Sequence, residues 1–496
     1  MVDKMSYKRI LASCFLAVQI LAFFSGCQKR PDKNAVVSKQ NNTLFTSVPT
    51  TATEANISNE TTDISFVSSF TSTDKSVNFT MDINQNIPVS NLPAVQVSPH
   101  YLTSEDAKTV ALTLFPDVDF YEAESQLSEN FSKSEIQEKL NRWSQYTNTD
   151  ALEELYGESE SIASLDIIKS YIVDYTKMYE HAPEENPHMP CAWSMRKSSE
   201  YMLLEDELPG VDLSNDSDEV CAQFTADGIP YRFSATTRNK HDFKVNIITC
   251  YIDDGLSPNN IDERIFTAKL CRKEKPTDEQ IALLQEKTEN FLSQFQLGQW
   301  KVDECYVETR SFGDSLEYMV HVNAVPVLNN VPVLRHPQLM SLRNENGYAP
   351  NQYLTDAQFV FSPKGDLVSF TLFTPLDIQK VENDDVNVMP INELLSLAQN
   401  HLTLTDSYHY GFGQYLFFYT EEIECNVSVS EMEYGLCRIK VPNTDDEYYY
   451  VPSVILKGSS EYIGEESGKT FYVSEEPEVL VVINAIDGTI INTTNS

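Results

Sequence analysis

With 496 residues, 41% of them apolar and 25 each of Tyr and Phe, the chain has material for two to four domains with packed cores. Against 36 Lys and Arg stand 74 Asp and Glu, a formal net charge of −38. A surface that acidic repels phosphate backbones and anionic lipid headgroups, so it argues against a nucleic-acid partner and against membrane attachment through charge.

The chain opens on Lys4, Lys8 and Arg9, continues as an apolar run over residues 10–24 and closes with Ser25-Gly26-Cys27. A spanning helix needs about twenty apolar residues; a run of about fifteen is the size of a secretory leader core. The order resembles a bacterial lipoprotein signal peptide, in which small residues admit a peptidase that cuts before a lipid-bearing cysteine. Phe24 stands where such leaders usually carry Leu. The resemblance implies a signal peptide over 1–26, lipidation of Cys27, and a protein held on the outer face of the cell membrane. Loss of three cations and Asp3 with the leader would move the net charge from −38 to −40.

Residues 41–80 contain 22 Ser, Thr or Asn and few charges. That composition offers little apolar surface to offset the entropy of ordering, so residues 27–86 are expected to be a disordered tether with a span of roughly 40 Å. Order is expected from Ile87, with short extended segments at 87–89 and 94–97. Thr103-Ser104-Glu105-Asp106 then caps a helix whose stripe is Ala107, Val110, Ala111 and Leu114, ended by Pro116. A second helix starts at Ser132, with Glu135 three places on. A third carries Leu165, Ile168, Ile172, Tyr175 and Tyr179 at helical spacing. Strands follow at 231–235 and 243–252, completing an N-terminal domain over 87–275.

A middle module over 276–388 begins with the capping box Thr277–Gln280 and the stripe Ile281, Leu284, Thr288, Phe291, Leu292 and Phe295. Strands are expected at 300–308 and 317–327, and a hairpin joins 358–361 to 367–373 through Pro363-Lys364-Gly365-Asp366. The C-terminal module, 389–496, repeats the plan: a helix with Ile391, Leu394, Leu395, Ala398 and Leu402, then strands at 415–419, 438–441, 448–456 and 479–483, with a last turn at Asp487-Gly488. Strands grouped after helices define an α+β fold of repeated modules, each an amphipathic helix packed on a curved antiparallel sheet.

The search for chemistry is mostly negative. The chain lacks a G-x-S-x-G elbow, a P-loop, a dinucleotide glycine fingerprint and an H-E-x-x-H helix. Ser194-Met195-Arg196-Lys197 fits S-x-x-K, but that chemistry requires the serine at a helix start, and a strand is expected here. His181, Glu184, Glu185, His188 and Cys191 carry metal-ligand types at no zinc spacing, so a structured connector is expected. Asp212, Asp216, Asp218 and Glu219 lack the glycine and glutamate of a calcium loop and read as a solvated loop. His321, His336, His401 and His409 stand isolated. No metal, cofactor or catalytic residue is assigned. After Cys14 and Cys27 are set aside, seven cysteines remain, an odd number. Cys425 and Cys437 flank an expected hairpin bend near Ser430 and Glu431; they read as two buried thiols, with a disulfide as the alternative.

Val322-Asn323-Ala324-Val325-Pro326-Val327, the 359–373 hairpin, Thr374-Pro375-Leu376-Asp377-Ile378 and the closing Ile483-Asn484-Ala485-Ile486-Asp487-Gly488-Thr489-Ile490 resemble the envelope-protein families related to YycH and YycI of low-GC Gram-positive bacteria. The whole chain is similar to uncharacterised clostridial lipoproteins. YycH and YycI carry an N-terminal transmembrane helix and act by contacting a sensor kinase's membrane segment; a lipid anchor would replace that helix here, and the resemblance brings no catalytic residues. The expectation is a lipid-anchored, extracytoplasmic binding or regulatory protein, its partner an envelope protein or wall component. An extracytoplasmic hydrolase with a non-standard site is the alternative. A transporter's solute receptor is disfavoured, since βαβ alternation is missing. Replacing Cys27 with Ala should move the protein from the membrane pellet to the soluble fraction; a variant that still pellets would refute the anchor.

Overall fold

The computed structural model describes residues 61–88, 92–123, 131–156, 158–185, 188–197, 217–240, 243–252, 261–271, 275–312, 315–335, 355–405, 423–440, 448–464, 467–474 and 478–491. The fold is α+β, dominated by two large and mainly antiparallel sheets. The first sheet contains β1 (Thr61–Thr71), β2 (Val77–Pro88), β3 (Ala94–Pro99), β14 (Leu376–Asn383), β15 (Ile423–Lys440), β16 (Tyr448–Gly464), β17 (Thr470–Val473) and β18 (Glu478–Asn484). The second contains β4 (Tyr121–Glu122), β5 (Arg196–Lys197), β6 (Ser217–Ala226), β7 (Ile229–Lys240), β8 (Phe243–Ile252), β9 (Gln299–Phe312), β10 (Ser315–Leu328), β11 (Val331–Pro332), β12 (Ala357–Phe361) and β13 (Leu367–Phe373).

Two helices lie on one face of the second sheet: α1 (Ser104–Leu114) and α6 (Asp278–Gln294). Both begin with the expected capping boxes, Thr103 with Asp106 and Thr277 with Gln280. Each satisfies two backbone N–H groups that the first helical turn leaves orphaned. Ala107, Val110, Ala111 and Leu114 pack with Phe224, Tyr231 and Phe233; Leu284, Leu292 and Phe295 pack with Phe359, Phe361 and Phe370. Lys287 Nζ donates to Gly365 O at 2.8 Å, pinning α6 to the expected β12–β13 turn.

The first two modules thus share one sheet. Strands β6, β7 and β8 follow α1, strands β10, β12 and β13 follow α6, and the last strand of each set pairs antiparallel with the other along Ser369–Phe373 and Ile247–Tyr251. Pairing β8 with β13 removes an open edge from both halves. The segments 87–275 and 276–388 therefore contribute strands to one common sheet, and β14, from the middle module, crosses to the first sheet. A satellite core of Ile136, Trp143, Leu152, Ile168, Tyr175 and Ala268 holds α2 (Lys133–Trp143), α3 (Thr149–Tyr156), α4 (Glu158–His181) and α5 (Ile261–Cys271) together. Farther along, α7 (Ile391–Leu402) buries Leu394, Leu395, Ala398 and Leu402 against the first sheet. The expected strand at 415–419 lies outside the described residues.

The tether expectation is corrected over 61–86. Strands β1 and β2 pair along their whole length, and β2 continues into the sheet by parallel pairing of Val77–Met81 with Cys425–Val429. Ile64, Phe66 and Phe70 alternate with exposed Asp63, Ser65, Val67, Ser69 and Thr71. Composition averages the two faces and hides an apolar face of period two. Phe70 stacks on Phe79, centroids 5.0 Å apart, and Asp74 accepts from Ser76 N at 3.0 Å in the turn.

The bend expected near Ser430 and Glu431 is instead a bulge between Val429 and Glu431 within one 18-residue strand. Beside it, Gly458 runs so close to β15 that a Cβ would lie 2.0 Å from the carbonyl oxygen of Ser428. Backbone cannot yield there as a flexible side chain would. Gly458→Ala should therefore lower unfolding stability by about 1–3 kcal/mol, the cost of overpacking, read as a lower urea midpoint with an unchanged slope.

Candidate functional site

The two sheets meet along a seam built from two chain crossings and one charged cluster. At the first crossing β3 leads into α1, and beside it β13 turns into β14 through Thr374 and Pro375. His100 N donates to Pro375 O at 2.7 Å, and Thr374 N to Asn246 O at 2.6 Å. The His100 ring bridges the layers, with Nδ1 3.0 Å from Asp377 Oδ1 on β14 and Nε2 3.2 Å from Asp106 Oδ2 on α1. Asp106 Oδ2 also accepts from Thr103 N at 2.7 Å and Thr103 Oγ1 at 2.6 Å. Burial pulls the His100 pKa down, but hydrogen bonds to Asp377 and Asp106 more than offset it and leave it raised. Burial pushes Asp106 up; Thr103 and His100 outweigh it and leave Asp106 below the usual carboxylate range.

At the second contact the chain leaving β11 reaches the first sheet. Val333 bridges Leu436 in parallel, and Leu334 N donates to Leu436 O at 3.0 Å. This occupies the edge of β15 beyond the point where β2 stops pairing. Leu92, Val95, Val97, Leu328, Val333, Leu436, Tyr448 and Tyr450 form the apolar floor. Arg335 follows immediately, its Nη1 2.6 Å from Glu304 Oε2 and its Nε 3.3 Å from Asp356 Oδ2. Asn323 Nδ2 and Gln358 Nε2 each donate to one of these carboxylates at 3.0 Å. Lys457 pairs with Glu433 on the first sheet.

Four carboxylates, Asp303, Glu304, Asp356 and Glu433, thus face the two cations Arg335 and Lys457. The Asp356 side chain is 1% exposed, and burial raises its pKa although Gln358 and Arg335 oppose the rise. Burial and then Glu433 raise Asp303 as well. Chemically the seam binds protons and fixes orientation. Among the described residues, no three His, Cys, Asp or Glu side chains converge to hold a metal ion.

Residues singled out in the sequence lie elsewhere and apart. Cys27, Asp212, Asp216, His336 and His409 lie outside the described residues. His188 Nε2 sits 2.8 Å from Glu135, Glu184 pairs with Lys133 at 2.5 Å, and His181 and Glu185 are exposed. Cys191 N bonds Phe120 O at 2.9 Å, and burial raises its thiol. The loop is the structured connector expected. Ser194 precedes strand β5 rather than opening a helix, and Lys197 pairs with Asp218 at 3.0 Å. Asp218 and Glu219 belong to β6 rather than to the expected solvated loop. His321 meets Glu308 at 2.7 Å and stacks on Tyr306; His401 closes the last turn of α7.

Cys425 and Cys437 both lie on β15, twelve residues apart along a strand that rises about 3.3 Å per residue. A separation near 40 Å is far beyond the roughly 7 Å limit for a bridge, so the disulfide alternative is corrected. Both are free, buried thiols, pushed up by burial to about 11 and about 12 respectively. The sequence reading missed His100, Glu304, Arg335 and Asp356. His100 carried one usable signal, its place three residues before a capping box; the others lie in unconnected strands and loops.

No protein-family profile and no curated protein matches the chain. Among solved structures, an uncharacterized protein from Eubacterium rectale is similar at 12% identity, over 84% of this chain and 91% of that one, with a TM-score of 0.33.

Removing Arg335 strands Asp356 in the interior, while the half-exposed Glu304 adds little. Arg335→Ala should cost about 3 kcal/mol of stability, measured by chemical denaturation. The double variant R335M/D356L should recover most of the loss, because it removes both buried charges.

Proposed function

We propose that the protein is a lipid-anchored, extracytoplasmic binding or regulatory protein of the cell envelope. The observation that carries this reading is the leader: three cations, a short apolar run and Ser25-Gly26-Cys27. Two acyl chains would bury enough methylenes, at about 0.8 kcal/mol each, for stable anchoring. The chain from Cys27 to the first strand at Thr61 could extend at most about 3.3–3.6 Å per residue, a reach of roughly 120 Å from the bilayer. Within that reach the two sheets offer broad faces held in one orientation by the seam, which suits recognition of an envelope protein or a wall glycan. The acidic charge keeps such a body away from anionic headgroups and leaves the lipid as the attachment.

A photoreactive residue in place of Tyr306, which is 45% exposed on β9, or Val67, 74% exposed on β1, samples the two sheets separately. Crosslinking in intact cells should give a discrete adduct with one envelope protein or glycan. A pattern matching that of an unrelated lipoprotein at both positions would overturn the reading.

A further inference from the structure

Both ring nitrogens of His100 lie within hydrogen-bonding distance of carboxylate oxygens on different layers, Asp106 on α1 and Asp377 on β14. An ionised carboxylate only accepts, and a neutral imidazole has a single N–H, so only the imidazolium can donate to both. In the neutral ring one nitrogen would present its lone pair to a carboxylate. The contact lies at a mechanically decisive point, because the ring's own backbone N–H also bonds Pro375, in the second strand crossing.

We propose that His100 is a protonation-dependent clamp, which as imidazolium ties the N-terminus of α1 to β14 and on losing its proton releases one of the two layers. The titratable groups facing it are Asp106 from α1 and Asp377 from β14. Among the described residues neither Asp106 nor Asp377 forms an ion pair with a lysine or arginine, so His100 is the cation between them. The raised His100 pKa agrees with this geometry. A raised folded-state pKa contributes stability that is fully present below the unfolded value of about 6.5 and lost as pH rises through the folded value. The seam is therefore tightest below the unfolded value and loosens as pH rises through the higher folded value. This assignment does not depend on the lipid anchor or on any partner.

Hydrogen exchange of the full chain, corrected for the intrinsic pH dependence of amide exchange, reads the clamp directly. Peptides covering 100–107 and 374–380 should lose protection together, several-fold, as pH rises past the His100 midpoint, while the α7 peptide 391–402 stays constant. His100→Gln, whose amide carries its donors at one end and an acceptor oxygen at the other and does not titrate, should show the loosened pattern at every pH. Asp377→Asn leaves the helix cap intact and should move the midpoint to lower pH, which a merely structural role for Asp377 would not do. A step that persists unchanged in His100→Gln, a wild type without a step, or an unmoved midpoint in Asp377→Asn would each overturn the proposal.

Discussion

The antiparallel pairing of β15 with β16 is the constraint on which the rest of the fold depends. It joins seventeen registered residue pairs, from Ile423 with Gly464 to Lys440 with Tyr448. The outer edge of β15 takes β2 over Cys425–Val429 and then the Val333 bridge at Leu436. The outer edge of β16 takes β3 at Tyr448–Tyr450, β18 at Ser453–Gly458 and β17 at Glu461–Ile463. Segments from both ends and the middle of the chain meet on this pair. Pro452 shows how closely the arrangement is fitted. Its carbonyl accepts from Ala485 N, so its nitrogen faces the same edge, in the gap where β3 has ended and β18 has not begun. A proline, which has no N–H to give, costs that ladder nothing there.

Much of the local structure was legible because its signals are local. Thr103–Asp106, Ser132–Glu135 and Thr277–Gln280 announce helix starts through contacts spanning three residues, and Pro363-Lys364-Gly365-Asp366 announces its turn the same way. The hairpin 61–88 was hidden for a different reason. Its exposed face is mostly Ser, Thr and Asn, and the apolar face that would repay ordering becomes visible only when alternate residues are read separately. The supposed bend at Ser430 and Glu431 was a bulge, in which one extra residue re-aims side chains without ending the strand.

The seam was illegible because nothing local encodes it. Glu304, Arg335 and Asp356 are brought together by β9, the residues after β11 and the start of β12, and each reads alone as an ordinary surface charge. The sharing of one sheet by two modules was illegible for the same reason. Amphipathic periodicity says that a sheet face must be covered and is silent on which strands complete its edges. The β8–β13 pairing and the departure of β14 are decisions of the edges, made by backbone groups that every sequence carries alike.

The composition of the seam follows from where it lies. Leu92, Val95, Val97, Leu436, Tyr448 and Tyr450 supply non-directional burial that draws the layers together but does not specify their angle. Orientation comes from groups with fixed geometry: the backbone bond from Leu334 N to Leu436 O, beside which Arg335 fixes its own segment on Glu304 and Asp356 of the second sheet, and the His100 ring, with two acceptors in different layers. These contacts differ in what they make of pH. The backbone bond does not titrate, and the arginine beside it stays protonated throughout the accessible range, so the first contact is permanent, although the buried Asp356 carries a desolvation cost that raises its pKa. Histidine titrates near neutrality, so its contact is conditional. The backbone bonds and the apolar floor do not titrate and keep the layers joined, so loss of the His100 proton, as proposed, would loosen the strand crossing without separating them.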